Sequence, residues 1–194
     1  MTDPISFAVS ILALFISGLT AWLTLRRGKV KMTRPTVVYF GPDEPTHGRA
    51  TPYPKIYFRT LLFSTTKRGR VIENIFVTLE KDGVEKNFSI WVHDSGKMLR
   101  GSGLFVGETG IEATHQFITH DKDSDHTFDE GSYQMRVFGQ MLSSKSEKLL
   151  FSETFVIASE TAEEMRDNKL GVYFDWEPHS QTYITHIDKG DLAS

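Results

Sequence analysis

Residues 55–81 read KIYFRTLLFSTTKRGRVIENIFVTLEK. Two runs, Lys55–Ser64 and Val71–Lys81, are dense in Ile, Phe, Tyr, Val, Leu and Thr, and a polar basic turn around Gly69 separates them. Side chains of these types suit a pleated, half-buried surface, so both runs read as strands. Strict alternation puts Ile72, Asn74, Phe76, Thr78 and Glu80 on one face of the second strand, and Ile75, Val77 and Leu79 on the other.

The same chemistry recurs outward from this pair. Thr36–Phe40, Lys86–Val92, Leu104–Val106, Glu112–Thr119, Ser132–Gln140 and Leu149–Ile157 read as further strands. Gly41-Pro42, Lys81-Asp82-Gly83, Asp94-Ser95-Gly96 and Gly107–Gly110 supply the turns. Gly41–Pro54, with four prolines, reads as a loop within the domain. Ser159–Asn168 (SETAEEMRDN) reads as one short helix: its acids lie early, where the helix dipole favours them, and Thr161 and Glu164 have capping-box spacing. Gly171–Trp176 and Thr182–Ile187 read as two more strands, and 189–194 as a loose tail. Many short strands with regular turns predict a mainly β domain over residues 36–188, a sandwich or barrel of antiparallel sheets with one short C-terminal helix.

Residues 129–135 read DEGSYQM. Asp-x-Gly-x-Tyr resembles the start of strand F in immunoglobulin-like β-sandwiches, where the tyrosine hydroxyl fixes the corner between strands. The resemblance implies an Ig-like sandwich with Tyr133 as the corner residue. Met135 stands where the second cysteine of that family would, so the implied sandwich lacks its disulfide; Trp91 lies on an upstream strand. A fold resemblance of this kind implies no activity.

At the N-terminus, Ile5–Leu25 runs 21 residues without a charge, and Arg26-Arg27 follows at once. As a helix this stretch spans about 30 Å, the thickness of bilayer hydrocarbon. The leader Met1-Thr2-Asp3-Pro4 has no base, and no small-x-small site precedes the basic cluster, so a membrane anchor is favoured over a cleaved signal peptide. Arg26, Arg27, Lys29, Lys31 and Arg34 form a basic linker over residues 26–35. The positive-inside rule keeps such a cluster in the cytoplasm, which predicts a single-pass protein of the plasma (inner) membrane with residues 1–4 outside and the sandwich inside. Trp22 sits where an indole straddles headgroup and hydrocarbon. Ala13, Ser17 and Ala21 share one helix face, a spacing that lets membrane helices approach closely and form a homo-oligomer.

The chain has 194 residues and no cysteine, which excludes disulfides, zinc–thiolate sites and thiol catalysis. Residues 1–34 carry five Lys/Arg against one acid, and the remainder is net acidic at −7. The domain therefore lacks the basic face that nucleic acid requires. Lys67, Arg68 and Arg70 stand out against this background. If the first strand runs away from the membrane and the second returns, their turn faces the bilayer and meets anionic headgroups.

Other candidate chemistry fails its own pattern. Asp121, Asp123 and Asp125 alternate like a Ca²⁺ loop, but His126 and Ser132 occupy the positions where an EF-hand needs glycine and glutamate. His115, His120, His126, His179 and His186 have no zinc spacing. Ser102 lies in Arg-Gly-Ser-Gly-Leu, which is no nucleophile elbow. Asp175 and Glu177 flank Trp176 on one side of a strand, the arrangement an acid–base pair would need. No cofactor is expected. The sequence points to a non-enzymatic module that binds a protein partner beside the lipid bilayer, with Trp91-Val92-His93 and Tyr173–Pro178 as candidate contacts. An extracytoplasmic ligand- or carbohydrate-recognition domain and a hydrolase are the alternatives.

Overall fold

The computed structural model describes residues 3–25, 28–43, 52–94, 98–101, 103–119, 127–142 and 144–187. Helix α1 spans Pro4–Leu25. The Asp3 carboxylate accepts the Ile5 N–H at 3.2 Å and Pro4 opens the first turn, so the helix start is capped by local chemistry. Residues 4–23 have a mean hydropathy of 2.0 and none of that stretch is buried. The Ser10 and Thr20 hydroxyls bond back to the carbonyls of Ser6 and Ile16, which satisfies them without water. A helix of this length and composition serves as a membrane anchor or as a signal sequence.

The strands follow as β1 (Val30–Met32), β2 (Val37–Pro42), β3 (Pro54–Ser64), β4 (Arg70–Lys81), β5 (Val84–Phe88), β6 (Ile90–Asp94), β7 (Met98–Arg100), β8 (Leu104–Val106), β9 (Ile111–Ile118), β10 (Gly131–Met141), β11 (Glu147–Ile157), β12 (Val172–Glu177) and β13 (Thr182–Ile187); helix α2 (Ser159–Asn168) lies between β11 and β12. They form two antiparallel sheets. The first has the order β13-β12-β2-β3-β9-β6-β7, with β1 on β3; the second has the order β11-β10-β4-β5, with β8 on β4. The core lies between them and is largely aromatic. Phe40 of the first sheet packs against Phe128, Phe155 and Phe174 at centroid distances of 5.3, 5.4 and 5.1 Å. The contact with Phe128 is stacked and those with Phe155 and Phe174 are edge-on, and such pairs add to the burial of the rings themselves.

Several local departures from periodicity shape the sheets. Asn74 pairs with Gln140 and Ile72 with Met141, so Glu73 is an extra residue. This bulge turns Ile72 inward to join Ile75, Val77 and Leu79 in the core, against the strict alternation expected for β4. The run Lys86–Val92 is two strands: Phe88 is buried from the second sheet, Trp91 from the first, and the chain changes sheets at Ser89. Helix α2 has the expected bounds, but Ala158 is its N-cap and no side chain caps it. Thr161 lies inside the first turn, so the capping box does not form. Lys169 closes the helix in the left-handed conformation.

The segment expected to be a linker takes part in the fold. Val30–Met32 pair with Ser64–Leu62 along the edge of β3 that β2 leaves open. Thr33 and Thr60 reinforce this: the Thr60 hydroxyl donates to the Thr33 carbonyl at 2.7 Å, and the Leu61 N–H donates to the Thr33 hydroxyl at 3.0 Å.

Candidate functional site

The candidate site is the end of the sandwich where the chain leaves α1. Three peptide steps separate Leu25 from Gly28, a reach of at most about 11 Å. From Gly28 the chain is held against the β3–β4 turn. The Lys29 N–H donates to the Thr65 hydroxyl at 2.9 Å, and the Thr65 N–H returns to the Lys29 carbonyl at 3.0 Å. Buried Gly28 packs on the Thr66 side chain, and Arg70 Nη1 donates to the Gly28 carbonyl at 3.2 Å. Two-way hydrogen bonding therefore holds the basic turn beside Gly28 and Lys29, three and four residues beyond the end of α1.

The three basic residues of this turn have different fates. Arg70 is occupied by the Gly28 carbonyl, whereas Lys67 and Arg68 are exposed. Gly69 closes the turn with its N–H on the Thr66 carbonyl and a φ of +64°, a conformation that disfavours side chains. The Phe105 ring covers Gly69 so closely that a Cβ there would lie 2.6 Å from it. Phe105 pairs with Val71, and Val71 accepts the Leu142 N–H at 2.9 Å. Phe105, Val71 and Leu142 thus form an apolar row across the end of the second sheet, with Phe105 62% and Leu142 49% exposed. Lys145 is exposed in the turn that follows. Sequence reading missed Phe105 and Leu142. The signal for Phe105 was present: Leu104 and Val106 point inward, so the residue between them must face out.

Of the remaining anchor flank, Trp22 is exposed near the end of α1, and Lys29 and Lys31 are exposed beyond it. Arg34 is held instead. Its guanidinium pairs with Glu153 and lies 4.0 Å from the Trp176 ring centroid, which links the first sheet to β11 of the second. Ala13, Ser17 and Ala21 lie exposed along α1. Arg26, Arg27, Asp121, Asp123, Asp125, Ser102, His120 and His126 fall outside the described residues. Among the described residues, no three His, Asp or Glu side chains are placed to hold a metal ion.

The other titratable candidates have local partners. Asp175 pairs with His186 Nδ1 at 2.7 Å, and that ring stacks on Tyr173. Glu177 accepts the backbone N–H groups of Ser180 and His179, which hold its carboxyl below the usual range, Ser180 most strongly. The two carboxylates thus serve separate partners. His115 is buried, and its Nδ1 accepts the Trp91 indole N–H at 3.0 Å, so the ring proton of the neutral form lies on Nε2. Trp91 is 1% exposed within β6, which removes Trp91-Val92-His93 as a contact loop. Tyr173–Pro178 is largely strand β12.

A second surface lies on the outer face of the second sheet. Phe76 of β4 and Phe138 of β10 pair across the strands and stack at 5.2 Å. Phe138 also pairs with Leu149 of β11, which is 56% exposed. Arg136, ion-paired with Glu80 and Glu85, borders this row on one side; Asn74 and Gln140 border it on the other.

The chain matches no known protein-family model and no curated protein.

Proposed function

We propose that the protein is a membrane-anchored, non-enzymatic β-sandwich that binds or assembles a protein partner at the cytoplasmic face of the plasma (inner) membrane. The observation that carries this reading is the Phe76–Phe138–Leu149 row. It is an apolar centre with a charged and amide rim, the anatomy of a protein interface. It stands on a domain that begins within a few peptide steps of an apolar helix long enough to span a bilayer. Such a short tether raises the local concentration of the module for partners at the same membrane. The local partners of Asp175, Glu177 and His115 fit this reading better than the hydrolase alternative.

We read the sandwich as immunoglobulin-like. The order β2-β3-β9-β6 facing β11-β10-β4-β5 corresponds to strands A-B-E-D facing G-F-C-C′. The Tyr133 hydroxyl also donates to the Asp129 carbonyl at 2.7 Å, at the corner that opens the strand equivalent to F.

Partner binding is tested by a photo-crosslinking residue at Phe138 in the full chain, in intact cells. A discrete protein adduct, lost on Leu149→Asp, is expected; adducts only from a control position at Ser132 would contradict the reading. Topology is tested with single cysteines at Thr2 and Glu163 and a membrane-impermeant maleimide. Labelling of Thr2→Cys alone is expected. Labelling of Glu163→Cys would favour the extracytoplasmic recognition domain instead.

A further inference from the structure

We propose that the helix-proximal end of the sandwich is itself a bilayer-contact surface: Phe105 and Leu142 enter the headgroup–hydrocarbon boundary, while Lys67, Arg68 and Lys145 bind anionic headgroups. This rests on the reading above that α1 spans the membrane, and adds a second, non-covalent contact made by the folded domain.

Reach comes first. The polar layer on each side of the hydrocarbon is about 5–8 Å thick, and the tether from Leu25 to Gly28 extends no more than about 11 Å. Residues 28 and 29 are bonded to the 65–70 turn, so the limit on Gly28 applies to that turn as well. The turn is thus confined to the neighbourhood of the headgroups whatever the direction of the domain.

Composition is the second argument. The residues that face outward here include an aromatic ring, a leucine and three cations, the combination that holds proteins at lipid interfaces. Phe105 and Leu142 are among the more exposed apolar side chains of the domain, and they sit in one row with Val71 between them. Their neighbours complement an anionic leaflet. Arg34 and Arg70 are bound to protein groups, but Lys67, Arg68 and Lys145 are directed to solvent around the apolar row. Glu108, in the turn after β8, Glu73 on β4 and Glu147 at the start of β11 are exposed acids at the same end. The occupant is a lipid surface; a second copy or another protein covering the row would be a different result of the test below.

The absence of native cysteine makes the test direct. Single cysteines replace Phe105 or Leu142 in the full chain. Val84→Cys and Val156→Cys, at the opposite end of the sandwich, serve as controls. Each carries an environment-sensitive fluorophore, and the chain is reconstituted into phosphatidylcholine vesicles with or without phosphatidylglycerol. Expected are a blue shift at 105 and 142 and quenching by nitroxide-labelled lipid, with aqueous emission at 84 and 156. The shift is expected to shrink without phosphatidylglycerol and with Lys67→Glu and Arg68→Glu combined. Aqueous emission at 105 and 142 in chains that float with the vesicles overturns the proposal while leaving the anchor intact. A blue shift insensitive to nitroxide lipid also overturns it, in favour of a protein cover. Failure of the chain to float overturns the anchor reading and this proposal with it.

Discussion

Arg70 and Gly28, 42 residues apart, are joined by a hydrogen bond from the guanidinium to the glycine carbonyl at 3.2 Å. It fastens Gly28, three residues beyond α1, to the foot of β4. A charged donor on a partly buried carbonyl contributes about 1.5–3 kcal/mol. Arg70→Met keeps the stem and removes the donors. It is expected to lower the unfolding free energy of the full chain in mild detergent by an amount near the lower end of that range, read as a lower urea midpoint with the m-value unchanged. Lys67→Met with Arg68→Met, which alters only exposed positions, is expected to stay within about 0.5 kcal/mol of wild type.

The Trp91–His115 pair and Gly101 form one unit. The Gly101 N–H donates to the Trp91 carbonyl at 2.8 Å, and a Cβ on Gly101 would lie 2.2 Å from the indole. Gly101→Ala therefore pushes against a buried ring, an overpacking expected to destabilise by about 1–3 kcal/mol. Trp91→Phe removes the donor to His115 Nδ1 and is expected to destabilise by at least about 1–3 kcal/mol. Thermal melts followed by far-ultraviolet circular dichroism of the sheets report both.

Tyr133 predicts an alkaline limit. Burial, with the nearby Asp129 charge, pushes its phenol from 10.0 up to about 12. Because the folded pKa is the higher one, the contribution is complete below pH 10 and is lost as pH rises from 10 to 12. Burial also raises the Tyr183 phenol, in the same sense. Tyr133→Phe is expected to flatten this part of the stability–pH curve. At pH 7 it should lower stability by about 1 kcal/mol for the bond to Asp129. Equilibrium unfolding at pH 7, 9 and 11 measures both effects.

Arg34 joins the helix-proximal segment to both sheets through Trp176 and Glu153. A double-mutant cycle of Arg34→Met with Trp176→Leu is expected to give a coupling of about 0.5–1 kcal/mol. The cycle with Glu153→Gln is expected to give about 0.2–1 kcal/mol. Added salt should weaken the second coupling more than the first.

Most strands and both bounds of α2 were legible in the sequence because each is set by residues close together in the chain. Single-residue events were not. The Glu73 bulge turns Ile72 inward without any local mark, since Ile suits either face. Ser89 gives no sign that the chain changes sheets, because Lys86–Val92 is one acceptable strand by composition. Val30–Met32 read as linker because their partner, Leu62–Ser64, lies thirty residues on. The same limit applies to the candidate surfaces. The basic turn was visible as charge, but Phe105, Leu142 and Leu149 gain their meaning only from cross-strand neighbours, which periodicity does not supply.

The fixed foot of β4 also acts as a ruler. Six residues of strand separate Arg70 from Phe76, a rise of about 20 Å at the usual 3.2–3.4 Å per residue, shortened by the bulge at Glu73. If α1 spans a bilayer and the helix-proximal end of the sandwich rests on it, as proposed, the Phe76–Phe138 patch stands above the headgroups by about that length. On that reading the proposed partner is one whose complementary face stands at a matching height, so stature as well as surface chemistry would decide which neighbours this module holds.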